Sequence, residues 1–144
     1  MEKTKLGISV ALAAALIYFL GALAGIGNIL VVLIAVGYVL IVETNIKLKR
    51  EAVKALILII TLAAVSFLIS WGLSGFQNFM SFLPNRDFII NIRSFINSSV
   101  SGINNIVRLI VFIVPIVFGF RAYKQKSTKI KWIDKILDAN FDKE

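Results

Sequence analysis

The sequence predicts an all-α, polytopic membrane protein: four transmembrane helices, an outer amphipathic helix and a C-terminal cytoplasmic amphipathic helix. Three observations lead to this fold class. Hydrophobic residues make up 58% of the 144 residues, whereas ordinary soluble domains contain roughly 45–50%. The excess lies in long uncharged blocks that a small soluble core would not hide. The basic residues lie almost entirely between and after those blocks. We expect one helical membrane domain over residues 1–144.

The composition excludes several kinds of chemistry. The chain contains no Cys and no His, which removes disulfides, a thiol nucleophile, an imidazole base and metal sites built on those ligands. No nucleophile elbow or phosphate-binding glycine loop occurs. We therefore predict no catalytic residue, no cofactor, no metal and no enzymatic activity. The net charge is +8, and the basic residues flank the apolar runs. This position favours anionic lipid headgroups over nucleic acid as the partner.

The first two predicted spans form a hairpin over residues 6–24 and 27–42. A signal peptide would have a shorter apolar region, and here a second apolar run follows almost at once. A single helix from residue 6 to 42 would overshoot the bilayer. Gly25 and Asn28 tolerate the positive φ of a tight turn. Gly21 and Gly25, four residues apart, would let helices approach closely, within one chain or at an oligomer seam.

The segment from Glu43 to Lys54 is predicted to be a basic loop, because charge of this density does not sit in hydrocarbon. Glu43 is expected to be a solvated loop charge; the alternative is an ion pair with Arg50 or Lys54. The third span follows over residues 55–73. Within it, Ser66 and Ser70 share a face, where they would bond a backbone carbonyl or a neighbouring helix. The alternative is a polar path through the membrane.

Residues 87–102 are predicted to form an amphipathic helix in the outer interface, because apolar and Asn/Ser residues fall on opposite faces. The fourth span, 103–123, overlaps its end, and Pro115 predicts a kink there. A bend near Gly102 would separate the two parts; otherwise one long helix covers 87–123. The polar face continues to Arg108, which would guard a water-filled vestibule, contact a lipid phosphate or snorkel to the headgroups. The candidate residues on this face are Asn97, Ser101, Asn104, Asn105 and Arg108.

The tail from 129 to 141 has the pattern of a short amphipathic helix. The apolar face is expected to lie on the membrane surface, since a basic run precedes it, although docking on a partner fits the same pattern. The apolar residues of this face are Ile130, Trp132, Ile133, Ile136 and Leu137.

The distribution of positive charge predicts the topology. Of the 16 basic residues, two lie before the first span, four in the central loop and seven in the tail, which leaves Arg86, Arg93 and Arg108 on the other side. The positive-inside rule places the thirteen in the cytoplasm. Both termini are then cytoplasmic, which requires an even number of spans. The expected location is a bacterial plasma membrane.

Two stretches resemble a known family. They are the segment from Arg50 to Leu56, which reads Arg-Glu-Ala-Val-Lys-Ala-Leu, and the basic exit from Gly119 to Lys126, followed by the Ile-containing tail at 129–133. With the order of the apolar runs, they resemble the small four-helix bacterial membrane proteins related to the chloroplast inner-envelope protein import component. The resemblance implies a helical membrane protein of the translocation-component type.

Three functions follow as hypotheses. The first is a structural or accessory subunit of a membrane assembly, whose partners are membrane lipids and other subunits or further copies of itself. The second is an oligomeric channel whose pore is lined by the Asn/Ser face of residues 91–105. The third is an immunity protein against a membrane-active peptide.

Overall fold

A computed structural model describes residues 2–84, 86–126 and 128–141 of the chain. Lys143, one of the thirteen basic residues, and Asn85, in the connection after the third span, lie outside these residues. No β-strand occurs in the described parts, so the all-α prediction is confirmed. The helices are α1 (Val10–Ala24), α2 (Ile29–Val42), α3 (Ile46–Ser81), α4 (Asp87–Tyr123) and α5 (Lys131–Phe141), with a short 3-10 turn at Ile26–Asn28.

Two of the four predicted spans are long and apolar enough to cross a membrane. These are α3, with 36 residues, and α4, with 37 residues, each about 55 Å long at 1.5 Å per residue. Helices α1 and α2 have 15 and 14 residues, which gives about 22 Å against a hydrocarbon thickness of roughly 30 Å. Helix length therefore does not support four spans. One reason is that residues 3–9 form a turn, with Thr4 N–H donating to Ile8 O at 2.9 Å, so α1 begins only at Val10.

The prediction that the basic segment forms a loop up to Lys54 is wrong. Only residues 43–45 lie outside helices, and α3 begins at Ile46. The Asn45 side chain accepts a hydrogen bond from Leu48 N–H at 3.1 Å and caps the helix, as Asn often does. Lys, Arg and Glu, which make up the charge of this segment, are good helix formers outside hydrocarbon. The third predicted span, 55–73, therefore lies within a much longer helix.

The sequence predicted an amphipathic helix that bends into a separate fourth span, with one long helix as the alternative. The structure has the long helix. Residues 87–123 form one continuous helix. A single glycine such as Gly102 costs a helix about 1 kcal/mol, and α3 packs alongside α4, which compensates for that cost. Pro115 lies inside the helix and does not end it.

The helices pack as an antiparallel bundle. Helix α1 lies along α3 and α4, and α2 packs against α1 and α3. The Tyr18 ring stacks on Phe118 with centroids 6.0 Å apart. A Cβ atom at Gly119 would lie 2.6 Å from the Phe19 ring, so glycine permits the close crossing of α1 and α4. The core is completed by Val32 and Val36 of α2, by Leu48, Ala52 and Ala55 of α3, and by Ile133 and Leu137 of α5.

We call the base the end of the bundle where α1 and α3 begin and α4 ends. The N-terminal segment reaches it, because Lys5 N–H donates to the Glu43 carboxylate at 3.1 Å. Helix α5 docks there against α3. The N-terminal segment, the α2–α3 connection, the α4–α5 connection and α5 therefore meet at one end of the molecule.

At the opposite end, α3 and α4 project beyond the short helices. Gly21, one turn before the end of α1, packs on Ile59 of α3. The part of α3 after this contact is accompanied mainly by α4. It exposes large apolar side chains, and Trp71 is 71% exposed. The others in this projecting part of α3 are Ile60, Val65, Phe67, Leu68, Phe76 and Phe79.

Candidate functional site

The densest polar arrangement in the described residues lies at the base. Lys54, on α3, is only 4% exposed. Its Nζ lies 2.6 Å from Asp134 Oδ1 on α5 and donates to the Thr128 carbonyl at 3.2 Å. A buried ammonium is tolerated only with such partners, because an unpaired buried charge costs several kcal/mol. Lys54 therefore joins α3 to α5 and to the segment that precedes α5.

Glu51, one turn before Lys54, connects the remaining parts of the base. The Tyr18 hydroxyl of α1 donates to Glu51 Oε2 at 3.1 Å. The Thr128 hydroxyl donates to Glu51 Oε1 at 2.8 Å. We call Tyr18, Glu51, Lys54, Thr128 and Asp134 the base cluster. It ties α1, α3, α5 and the α4–α5 connection to one another.

The local sequence explains why these groups meet. The cap at Asn45 starts α3 early enough that Glu51 and Lys54 are both helical and share a face at i and i+3. Helix α4 ends with Gln125 in the left-handed region, at φ 52°, and Lys126 N–H donates to Arg121 O at 2.9 Å. This reversal is the usual way to end a helix, although glycine normally occupies the left-handed position. It sends the chain back across the base toward Thr128.

Asp134 has two roles. Oδ2 accepts from Ile130 N–H at 2.9 Å at the start of α5, and Oδ1 faces Lys54. Partial burial raises the pKa of Asp134, but the Lys54 ammonium and the Ile130 N–H outweigh it and hold the pKa below its ordinary value. A second ion pair joins Arg50, one turn earlier on α3, to Asp138, one turn later on α5. The two pairs hold α5 against α3 electrostatically.

Two neighbouring recesses open beside the base cluster. One, of about 740 Å³, lies where α1 and α3 begin and is lined by Ser9, Ala11, Ala14, Lys47 and Ala122, among others. The second, of about 620 Å³, lies between α5 and the bundle. Arg50, Glu51, Gln125, Lys126 and Thr128 line both. Within residues 2–84, 86–126 and 128–141, no three His, Cys, Asp or Glu side chains are grouped as metal ligands would be.

The polar face predicted on α4 is divided by the structure. The Gln77 side chain of α3 donates to Asn97 Oδ1 at 3.2 Å, and the Ser70 hydroxyl donates to Asn104 Oδ1 at 3.3 Å. Asn97 and Asn104 thus face α3 of the same chain. The remaining candidates, Ser101, Asn105 and Arg108, are exposed.

The residues predicted for helix packing fall at contacts of three kinds. Gly21 lies against the Ile59 side chain, with no room for a Cβ. Gly25 adopts φ 59° and ends α1, so it serves the turn and not a helix seam. Ser66 is buried, and Ser70 is half-buried beside α4.

The apolar face of α5 is also divided. Ile133 and Leu137 are buried in the core of this chain, and Ile130 is half-buried. Trp132 and Ile136 are exposed. The helix docks on its own bundle, which leaves only the exposed pair to contact a membrane surface.

Sequence reasoning did not single out Tyr18, Glu51 or Thr128. The pairing of Glu51 with Lys54 at i and i+3 was the available signal, but their partners lie more than thirty residues away in sequence. Glu43 also differs from expectation. It is 3% exposed and accepts from the Lys5 main chain, whereas we expected a solvated loop charge.

Comparisons with protein-family models, with curated proteins and with solved structures gave no match.

Proposed function

We propose that this chain is a non-enzymatic, multi-pass protein of a bacterial plasma membrane and acts as a structural or accessory subunit of a membrane assembly. In this proposal α3 and α4 cross the bilayer. The short apolar hairpin of α1 and α2 crosses beside them, with the bilayer thinned around it. The base and both termini face the cytoplasm, because most of the basic residues lie there.

The observation that carries the assembly role is an exposed polar stripe on α4. Its members are spaced alternately four and three residues apart, which keeps them on one side of a helix. All are exposed. They are Asp87, Asn91, Ser94, Ser98, Ser101, Asn105 and Arg108. The side that packs on α3 is a different one, marked by Asn97, Val100 and Asn104.

A polar stripe of this kind favours a partner helix. The exposed side chains around it are large and apolar, including Ile103, Ile106 and Leu109, so the surrounding medium of the proposed spans is lipid. Polar groups in lipid are costly when they have no partner. Small hydroxyl residues let a second helix approach closely, and amides hydrogen-bond across the contact. A second copy of the chain or another subunit would therefore cover the stripe; the resemblance noted above favours an assembly of the translocation type.

A cysteine experiment tests this role, since the native chain has no Cys. Ser98→Cys places a thiol on the polar stripe. Ser99→Cys is the matched control, because Ser99 is also an exposed serine but lies about 100° around the helix. Each variant is treated with a short bis-maleimide in native membranes. We expect Ser98→Cys to give a discrete cross-linked product and Ser99→Cys to remain uncross-linked. Equal yields of cross-linked product from the two variants, or no product from Ser98→Cys, would refute the role.

The channel hypothesis is the second candidate. It is favoured by the exposure of Ser101, Asn105 and Arg108, because only side chains that are not buried within the chain could line a pore between several copies. In such an oligomer Arg108 would form a cationic ring and select anions. Single-channel recordings in planar bilayers decide the matter. Anion-selective currents whose selectivity falls in Arg108→Gln would support a pore, whereas an absence of conductance from cross-linked protein would leave the stripe as a packing seam.

A further inference from the structure

The recess between α5 and the bundle has an unusual balance of charge. Its volume is about 620 Å³. Four exposed lysines line it, and among the residues described none of the four forms an ion pair. They are Lys126, Lys129, Lys131 and Lys135. We call this cavity the lysine recess.

The carboxylates in the wall of the lysine recess are already engaged. Glu51 accepts from the Tyr18 and Thr128 hydroxyls. Asp134 is paired with Lys54, and Asp138 with Arg50. Lys54 also lies 3.6 Å from Glu51 Oε1, so the three carboxylates of the recess face Lys54 and Arg50, and none of the four lysine ammonium groups is ion-paired in the described structure. An anion in the recess would offset their mutual repulsion.

Gln125 adds a neutral donor at the same place. It holds a left-handed backbone conformation at φ 52°, which is unfavourable for a residue with a Cβ relative to glycine. Gln125 lines both recesses. A strained residue that keeps its side chain at a cavity is a recurring feature of ligand sites. The amide of glutamine supplies two N–H donors.

We propose that the lysine recess binds a phosphate group. Several ammonium groups around one cavity suit a multiply charged oxyanion, for which lysine acts as a point charge, and the Gln125 amide would donate a further hydrogen bond. The phosphate is either free in solution or part of an anionic lipid headgroup. The bound anion would also bridge Lys126, at the end of the bundle, to Lys131 and Lys135 of α5, and so strengthen the docking of α5.

The inference is independent of the assembly role, because it concerns the base and not the polar stripe. The test uses the full chain in a mild detergent, with thermal unfolding followed by circular dichroism. The probes are inorganic phosphate, short-chain phosphatidylglycerol and, as a lipid control, short-chain phosphatidylcholine, all at constant ionic strength set with chloride. A saturable rise of Tm with phosphate or phosphatidylglycerol is expected.

The variants locate the effect. Lys126→Gln/Lys129→Gln removes two lysines of the recess, and its apparent Kd should rise about tenfold or more, since a hydrogen bond to a charged group contributes about 1.5–3 kcal/mol. Lys3→Gln/Lys5→Gln is the matched control: it removes the same charge from exposed residues that do not line the recess. Gln125→Gly should raise the Tm without ligand and weaken binding.

Each outcome decides the proposal. A response to phosphatidylglycerol alone identifies a lipid headgroup as the ligand, whereas a response to inorganic phosphate identifies a free phosphate site. Equal weakening in the two double variants would show general charge attraction and overturn the recess as a site. A Tm that neither probe raises above the chloride and phosphatidylcholine controls would also overturn it.

Discussion

At the scale of single residues, Lys54 shows how a charge can be part of a core. It belongs to the basic segment that marks one side of the proposed membrane, yet its ammonium is buried between Asp134 and the Thr128 carbonyl. The neighbouring Glu51 takes hydroxyl donors from Tyr18 and Thr128. Each polar group thus has a partner, which is the condition for burying charge without a large penalty.

Lys54→Met tests this arrangement, because it removes the charge and keeps the length of the side chain. Asp134 would be left without its cation. We expect the free energy of unfolding to fall by about 3 kcal/mol, the lower end for breaking a buried pair, as measured by denaturant unfolding in mild detergent. The double variant Lys54→Met/Asp134→Asn keeps an acceptor for Ile130 N–H and should recover much of the loss. A single variant as stable as the native chain would contradict the buried pair.

The sequence could locate Lys54 but not its partners. Charge density predicts that the segment lies outside hydrocarbon, and the three-residue spacing of Glu51 and Lys54 can be read from the sequence. Asp134 lies eighty residues further on, and only the reversal at Gln125 brings it back to α3. The prediction for Glu43 was wrong for a similar reason, because the N-terminal turn that supplies the Lys5 N–H has no strong sequence signal.

At the scale of elements, α5 is the part of the fold whose position depends most on electrostatics. Two side chains, Ile133 and Leu137, enter the core, and two ion pairs hold the polar side. The pairs join Asp134 to Lys54 and Asp138 to Arg50. Amphipathicity predicts such a helix well, but it cannot say whether the apolar side meets lipid or protein, because both bury the same residues.

Acid should release α5. The native pKa of Asp134 is held below its ordinary value, so this carboxylate stabilises the docked helix at neutral pH, and the contribution declines as pH falls below about 3.9, the ordinary carboxyl value. In a Trp71→Phe background, Trp132 is the only tryptophan and reports on α5. Its fluorescence should change reversibly below about pH 4. In Asp134→Asn the change should lose part of its amplitude; an identical pH profile would show that Asp134 does not control docking.

Element boundaries were predicted less well than element type. The hydrophobic periodicity and apolar runs identify the helices. However, α3 begins nine residues before and ends eight residues after its predicted span, and α4 begins sixteen residues before its predicted span. Charged residues, Gly102 and Pro115 looked like interruptions. In the fold they are compensated, because the Asn45 cap extends α3 and long antiparallel packing supports α4.

At the scale of the whole molecule, the fold separates two ends of different character. The base collects the connections, the ion pairs and most of the basic residues. The projecting part of α3 and α4 has a seam of amides and hydroxyls, including Gln77 with Asn97, and it exposes both the polar stripe of α4 and large apolar side chains. Arg93 donates to the carbonyls of Met80 and Leu83 at 3.0 and 3.1 Å and secures this far end. The positive-inside rule requires such a difference in positive charge between the two ends of a protein that is held in one orientation.

The orientation can be measured on intact cells, again because the native chain has no Cys. Lys49→Cys places a thiol at the base, and Arg86→Cys places one at the far end between α3 and α4. Charged segments do not cross the bilayer once the protein is inserted, since moving an ion into hydrocarbon is strongly unfavourable. A membrane-impermeant maleimide should therefore label Arg86→Cys in intact cells, and Lys49→Cys only after the membrane is permeabilised. Labelling of Lys49→Cys from outside would reverse the proposed orientation, and equal labelling of both without permeabilisation would exclude a fixed orientation in the membrane.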